Sequence, residues 1–102
     1  MAWEEIQRDV DAWIRGYTPG YFTPLMILAR LTEELGELSR AVSHHHGEKK
    51  PKPGEEPGDM SEEIGDLLFV LVCLANSQGI NLNDSWTVLK KKLYERDAKR
   101  WK

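Results

Sequence analysis

The stretch LARLTEELGELSRAV, Leu28 to Val42, decides how the chain is read. Leu28, Leu31, Leu35, Leu38 and Val42 follow alternating steps of three and four, the pattern of a bundle helix with one apolar seam. Glu33, Glu34 and Glu37 are set among them. A second stretch of the same habit, SEEIGDLLF from Ser61 to Phe69, carries Glu62, Glu63 and Asp66. A face meant for packing has no use for acids, so finding them beside one twice needs a reason.

Outward from this stretch the pattern stays helical. Pro24 is suited to open the helix, because a proline at the first helical position forfeits no hydrogen bond, and the helix runs to about His46. Before it, Ile6, Val10, Trp13 and Ile14 recur at helical spacing and predict a helix over Trp3 to Arg15; GYTPGYFTP between the two is a loop. After it, GEKKPKPGEEPG, Gly47 to Gly58, has the proline, glycine and mixed charge of a mobile loop. Asp59 and Glu62 have capping-box spacing for a third helix ending near Gln78, with Gly79 as its C-terminal cap. A fourth helix, capped by Asp84 or Ser85, runs to about Lys99. No strand-like alternation is present. The fold class is all-α, a four-helix arrangement within one domain over residues 1–102.

Composition sets the bounds. At 102 residues a single core is feasible without staples. The lone Cys73 has no partner within the chain and points to a reduced, cytoplasmic setting. The start, MAWEEIQRDV, is polar and acidic, unlike a signal segment, and the apolar run Leu67 to Ala75 is too short to span a bilayer. A formal net charge of -3 gives no reason to expect a nucleic-acid polymer as partner. The third helix, with LLFVLVCLA, is apolar on every side and needs cover all round. It is either a central core helix or one that packs on a second subunit; with so short a chain, a homo-oligomer is expected.

Residues three or four apart lie on nearly the same side of a helix. Glu34 and Glu37 are so related, as are Glu63 and Asp66, and each pair aims two carboxylates at one point. On a helical wheel Glu34 flanks the Leu31–Leu38 seam, while Glu33 points nearly away. Glu63 falls in line with Val70 and Leu74, Asp66 lies beside them, and Glu62 is turned further outward. Two such pairs facing each other would crowd four negative charges, an arrangement that needs raised pKa values, basic partners or bound cations. All-oxygen ligation favours hard ions such as Mg²⁺ or Mn²⁺; a di-iron bundle would want Glu-x-x-His pairs, and the histidines, His44 to His46, stand apart. Glutamates solvated on a helix surface are the plain alternative. Gly36 and Gly65 each sit between the acids of a pair at a cost of about 1 kcal/mol in a helix interior, which points to close approach by a neighbouring helix or ligand.

EELGEL followed by EEIGDLLF resembles the EExxE…ExxD signature of the MazG-like nucleotide pyrophosphohydrolases, all-α enzymes, and is similar to their small single-domain members. The similarity runs from GYFTPLMILARLTEELGELSRAV to RDAKRW. It implies a four-helix, bundle-like MazG fold assembled as a dimer or a dimer of dimers. It also implies hydrolysis of a nucleoside triphosphate to a monophosphate and pyrophosphate, as in house-cleaning of non-standard nucleotides. Carried over by position, Glu34, Glu37, Glu63 and Asp66 would hold Mg²⁺, with Mn²⁺ as a substitute. Glu33 or Glu37 would take the proton from the attacking water. The segment before the second helix matches one that holds the nucleobase in some relatives. Tyr21 and Phe22 are therefore candidates for stacking, or else staple onto the start of that helix.

Lys92, Arg96 and Arg100 recur every four residues and form a basic stripe suited to phosphate; the alternative is that they meet the helix macrodipole and solvent. Trp101 packs on a neighbouring subunit or stacks on a base. Consecutive residues diverge by about 100° around a helix, so His44–His46 read as a polar helix end and not as a chelating set. Cys73 reads as a buried small hydrophobe. A runner-up function is a non-catalytic helical module binding a nucleotide or a protein, and a third is an orthophosphate-releasing phosphatase on the same scaffold.

Overall fold

In the computed structural model, residues 2–47 and 49–97 are described. They form α1 (Ala2–Arg15), α2 (Pro24–His46), α3 (Met60–Ser77) and α4 (Leu82–Lys92), followed by a π-helical turn at Leu93–Asp97. No strand is found among the described residues. The boundaries follow from local chemistry. Thr23 accepts the backbone N–H of Met26 and Pro24 opens α2. Asp59 accepts the N–H of Glu62 at the head of α3, and Gly79, with φ +67, closes its end in the left-handed region. The fourth helix departs from expectation at both ends. Its cap is Asn81, whose side chain accepts from the N–H groups of Asn83 and Asp84. Its last turn widens at Leu93, and residues 98–102, including the expected end at Lys99, lie outside the described residues.

α3 is the central element. It packs against α2 along the chain's most extensive helix pairing and against α1 on another side, and α4 packs on α1. Val10, Val72 and Cys73 form the buried centre, with Ile6, Ile14, Tyr21, Leu68 and Leu82 packed around it. The column that α2 buries is not the full leucine seam. Ile27 and Ala41 are buried and Glu34 lies in line with them at seven-residue steps, while Leu28 and Leu35 stay more than half exposed. Helical geometry explains the split. Successive positions on two antiparallel helices turn to the same side, so Leu28, Leu35 and Val42 of α2 and Ile64 and Leu71 of α3 share one open apolar face.

The α2–α3 loop is held down at its far end. Gly58 approaches α2 so closely that a Cβ there would lie 2.7 Å from the Ala41 Cβ. The buried His44, expected as part of a polar helix end, takes the Gly58 N–H on Nδ1 at 3.4 Å and has Glu55 3.5 Å from Nε2. His45 Nε2 sits 2.6 Å from the Gly58 carbonyl oxygen. Gly36 and Gly65 behave otherwise than expected: a Cβ on either would meet nothing within 4 Å. They point away from the helix pair, so the approach of α2 to α3 does not depend on them.

A polar network crosses the helices. Asn76 accepts from Gln7 Nε2 at 2.8 Å and donates to the Gln7 carbonyl and the Tyr21 hydroxyl, each at 3.0 Å. Gln7 in turn donates to the Ile80 carbonyl and accepts from the Leu82 N–H. Two side-chain amides, Gln7 and Asn76, thus join α1, α3, the start of α4 and the α1–α2 loop. Asn76→Ala removes the three hydrogen bonds of this amide to Gln7 and Tyr21 and should cost about 2 kcal/mol. The expected fall in melting temperature is roughly 8–15 °C for a domain of this size, measured by circular dichroism at fixed protein concentration.

Candidate functional site

Because α2 and α3 run antiparallel, the middle of one lies across from the first turns of the other. One carboxylate oxygen from each of Glu34, Glu63 and Asp66 lies within 4.8 Å of the other two. Glu34 is withdrawn from solvent, its side chain 15% exposed. Glu37 stands beside the three, with its carboxylate hydrogen-bonded to Arg40 at 2.9 Å. The expected crowding of charge is therefore present and has a measurable consequence. Loss of water pushes the Glu63 carboxyl above its ordinary value of 4.5, and the charges of Asp66, Glu37, Glu34 and Glu62 push it further. Oxygen donors alone, three acids converging with Arg30 3.5 Å from Glu34, suit a hard divalent cation.

The remaining acids are placed differently. Glu33 projects from α2 with its side chain 67% exposed and an Arg30 nitrogen 4.0 Å away. Glu62 is exposed at the head of α3. Both agree with the outward directions read from the helical wheel. The basic stripe is not drawn to the acids by any major helix pairing: α4 packs on α1, and the chain bends by 106° between α3 and α4. Lys92 and Arg96 are exposed there, while Arg100 and Trp101 lie outside the described residues.

One turn beyond the carboxylates, toward the start of α2 and the end of α3, a cavity of about 410 Å³ opens. Five aromatic side chains line it, Trp13, Tyr17, Tyr21, Phe22 and Phe69, with Arg30 and Cys73 among the others. Trp13 meets Phe69 edge-on at 5.6 Å and Tyr17 at 4.6 Å between ring centroids. Tyr21 is tied down by its hydroxyl, which donates to Asp11 at 2.7 Å and accepts from Asn76. Burial and the Asp11 carboxylate together push that hydroxyl up to about 12. The Asp11 carboxyl is lowered in return, first by Arg15 and then by Tyr21. Phe22, by contrast, is about half exposed.

Sequence reading found Tyr21 and Phe22 but missed the rest of this wall. Trp13 was expected on the core face of α1, yet it is 56% exposed and turned to the cavity. Tyr17 follows the end of α1, where its N–H bonds the Ile14 carbonyl, so no helical spacing marked it as a neighbour of Trp13. Cys73 is buried as expected, its thiol pushed up by burial.

Comparison with known proteins accords with this geometry. Residues 22–101 match the MazG nucleotide pyrophosphohydrolase domain. The chain is 52% identical over 98 residues to the uncharacterised protein YpjD of Bacillus subtilis (strain 168), covering 96% of this chain and 88% of YpjD. In the solved structure of the Bacillus-conserved MazG protein, a nucleotide pyrophosphohydrolase, the likeness has a TM-score of 0.80 at 41% identity, over 94% of this chain and 93% of that one. A solved structure of YpjD matches with a TM-score of 0.81 at 51% identity, over 90% and 94% of the two chains. With the acid pairs on facing helices and the matched segment spanning both, the chain belongs to the MazG nucleotide pyrophosphohydrolase family and is an enzyme of that kind.

Proposed function

We propose that the protein is a Mg²⁺-dependent nucleoside triphosphate pyrophosphohydrolase, releasing a nucleoside monophosphate and pyrophosphate, with Mn²⁺ able to replace Mg²⁺. The observation that carries this reading is the convergence of Glu34, Glu63 and Asp66 one helical turn from an aromatic cavity. A bound divalent ion would polarise phosphoryl oxygens and lower the pKa of water. The chain's own part is to hold that charge with Glu34, Glu63 and Asp66, joined by Glu37 when it leaves Arg40. Glu33, open to solvent beside the cluster, or Glu37 accepts the proton of the attacking water. Phe22 and its aromatic neighbours receive the nucleoside, and the apolar walls keep bulk water from it. Lys92, Arg96 and Arg100 take phosphate charge through assembly with a second copy, since α4 lies off the groove in a single chain.

A homo-oligomer is part of the same reading. The face bearing Leu28, Leu35, Val42, Ile64 and Leu71 is too apolar to be left to water, and a dimer or dimer of dimers covers it. The unit is a single MazG-like domain over residues 1–102 acting on small nucleotides in the cytoplasm, in keeping with one free cysteine. No single helix among the described residues is long and apolar enough to cross a membrane.

Purified protein with Mg²⁺ should release pyrophosphate, not orthophosphate, from at least one nucleoside or deoxynucleoside triphosphate. Glu63→Gln or metal-free buffer should abolish release with helical content unchanged; full activity in either case refutes the site. The same substitution has an opposite effect on stability. A carboxyl raised in the folded state costs nothing below its ordinary pKa of 4.5 and its full amount above the raised value. In metal-free buffer Glu63→Gln should therefore raise the melting temperature at neutral pH, and the gain should fade as the pH drops toward 4.5. A gain that persists or grows at acid pH would contradict the crowding. Leu35→Glu should shift the assembly toward monomer in light scattering after size exclusion, whereas an unchanged mass would place the subunit contact elsewhere.

A further inference from the structure

Two arginines flank the acids of α2, and they are held in different ways. Arg40 donates a hydrogen bond to Glu37 at 2.9 Å. Arg30 lies 3.5 Å from Glu34 and 4.0 Å from Glu33, distances at which charge attracts but the geometry of a good hydrogen bond is absent. Arg30 also lines the aromatic cavity, which Arg40 does not. α3 carries no Lys or Arg at all. Arg30 is thus the one cation of the α2–α3 pair that touches both the withdrawn carboxylate and the cavity.

Distances along α2 give this position a meaning. From Ile27, at the cavity, to Glu37 is ten residues, a rise of about 15 Å, a span suited to a nucleoside with an extended polyphosphate. A nucleotide seated with its base in the cavity and its outer phosphates at the acids must lay its innermost phosphate past Arg30. The guanidinium fork matches phosphate oxygens, and the side chain is 53% exposed and free to turn. A divalent ion at Glu34 would compete with Arg30 for the same carboxylate.

We propose that Arg30 is a two-position residue: it neutralises Glu34 while the carboxylate site is empty, and it turns to the phosphate nearest the nucleoside when a cation takes Glu34. The proposal rests on the pyrophosphohydrolase reading above. Cation binding then releases a phosphate ligand, so the carboxylates and the cavity are filled in concert. Without such a residue, the acids would repel the incoming phosphates until fully neutralised.

The test uses two measurements on the full chain. Mn²⁺ binding without nucleotide is followed by the electron paramagnetic resonance of the free ion. Binding of α,β-methylene analogues of the four standard deoxynucleoside triphosphates is measured by calorimetry at saturating Mg²⁺. Arg30→Ala, at a half-exposed helical position where Ala is a good helix former, should tighten Mn²⁺ binding roughly threefold to tenfold, the scale of one partly screened charge pair. It should also weaken the best-bound analogue by about tenfold or more, with Arg30→Lys recovering part of the loss as a charge without the fork. Arg40→Ala serves as the control and should leave analogue affinity within roughly twofold, because the cavity is lined by Arg30 and not by Arg40. Tighter Mn²⁺ binding with unchanged analogue affinity would make Arg30 a neutralising charge only and overturn the proposal, as would no change in either. If the wild-type protein binds none of the analogues, the nucleotide reading itself fails and the proposal falls with it.

Discussion

Everything in this molecule turns on the antiparallel contact between α2 and α3. The two helices bury a shared column, and in the middle of that column stands Glu34, where a leucine would pack better. Its neighbours across the groove, Glu63 and Asp66, add like charge at short range, and loss of water together with those charges raises the Glu63 carboxyl. A helix pair can tolerate this only if its ends are secured elsewhere. Ile27 and Val70 close the pair on one side of the acids. On the other side the close approach of Gly58 to Ala41, with His44 and His45 on the loop, does the same.

The second half of the site comes from elements remote in sequence. α1 supplies Trp13, and the loop after it supplies Tyr17, Tyr21 and Phe22. Neither would hold a fixed place over α3 by apolar contact alone, since several of these rings are largely open to solvent. The amide–hydroxyl network from Gln7 through Asn76 to Tyr21 and Asp11 holds them, because hydrogen bonds impose direction where apolar burial does not. The cavity is therefore an outcome of polar tethering at a distance, and the carboxylate cluster an outcome of helix pairing. Their junction at Arg30 makes the two one site.

Much of this was legible beforehand, and the reasons are local. Thr23–Pro24 and Asp59–Glu62 mark helix starts by the side-chain chemistry of their own backbone turns, so α2 and α3 fall where they were expected. Glu34 and Glu63 could be told from Glu33 and Glu62 because a helical wheel fixes relative direction within one helix. The same wheel misjudged the leucine seam. It grouped Leu28, Leu35 and Val42 with Leu31 and Leu38, whereas packing on α3 divides them between a covered side and an open one. The histidines were read as idle because their partners, Gly58 and Glu55, become neighbours only when the loop folds back.

The sequence by itself determined the helices, their caps and the two acid pairs, because each depends on interactions within a few residues of chain. It also carried the resemblance to the family, since both motifs survive in order. Only the tertiary structure decided which carboxylates converge, that Glu37 is engaged by Arg40, and that Trp13 lines a cavity. Those outcomes depend on how rigid helices meet, and spacing along one helix carries no information about the angle or register of another. The acids were visible as pairs; that three of them become a single centre of charge is a property of the contact between helices.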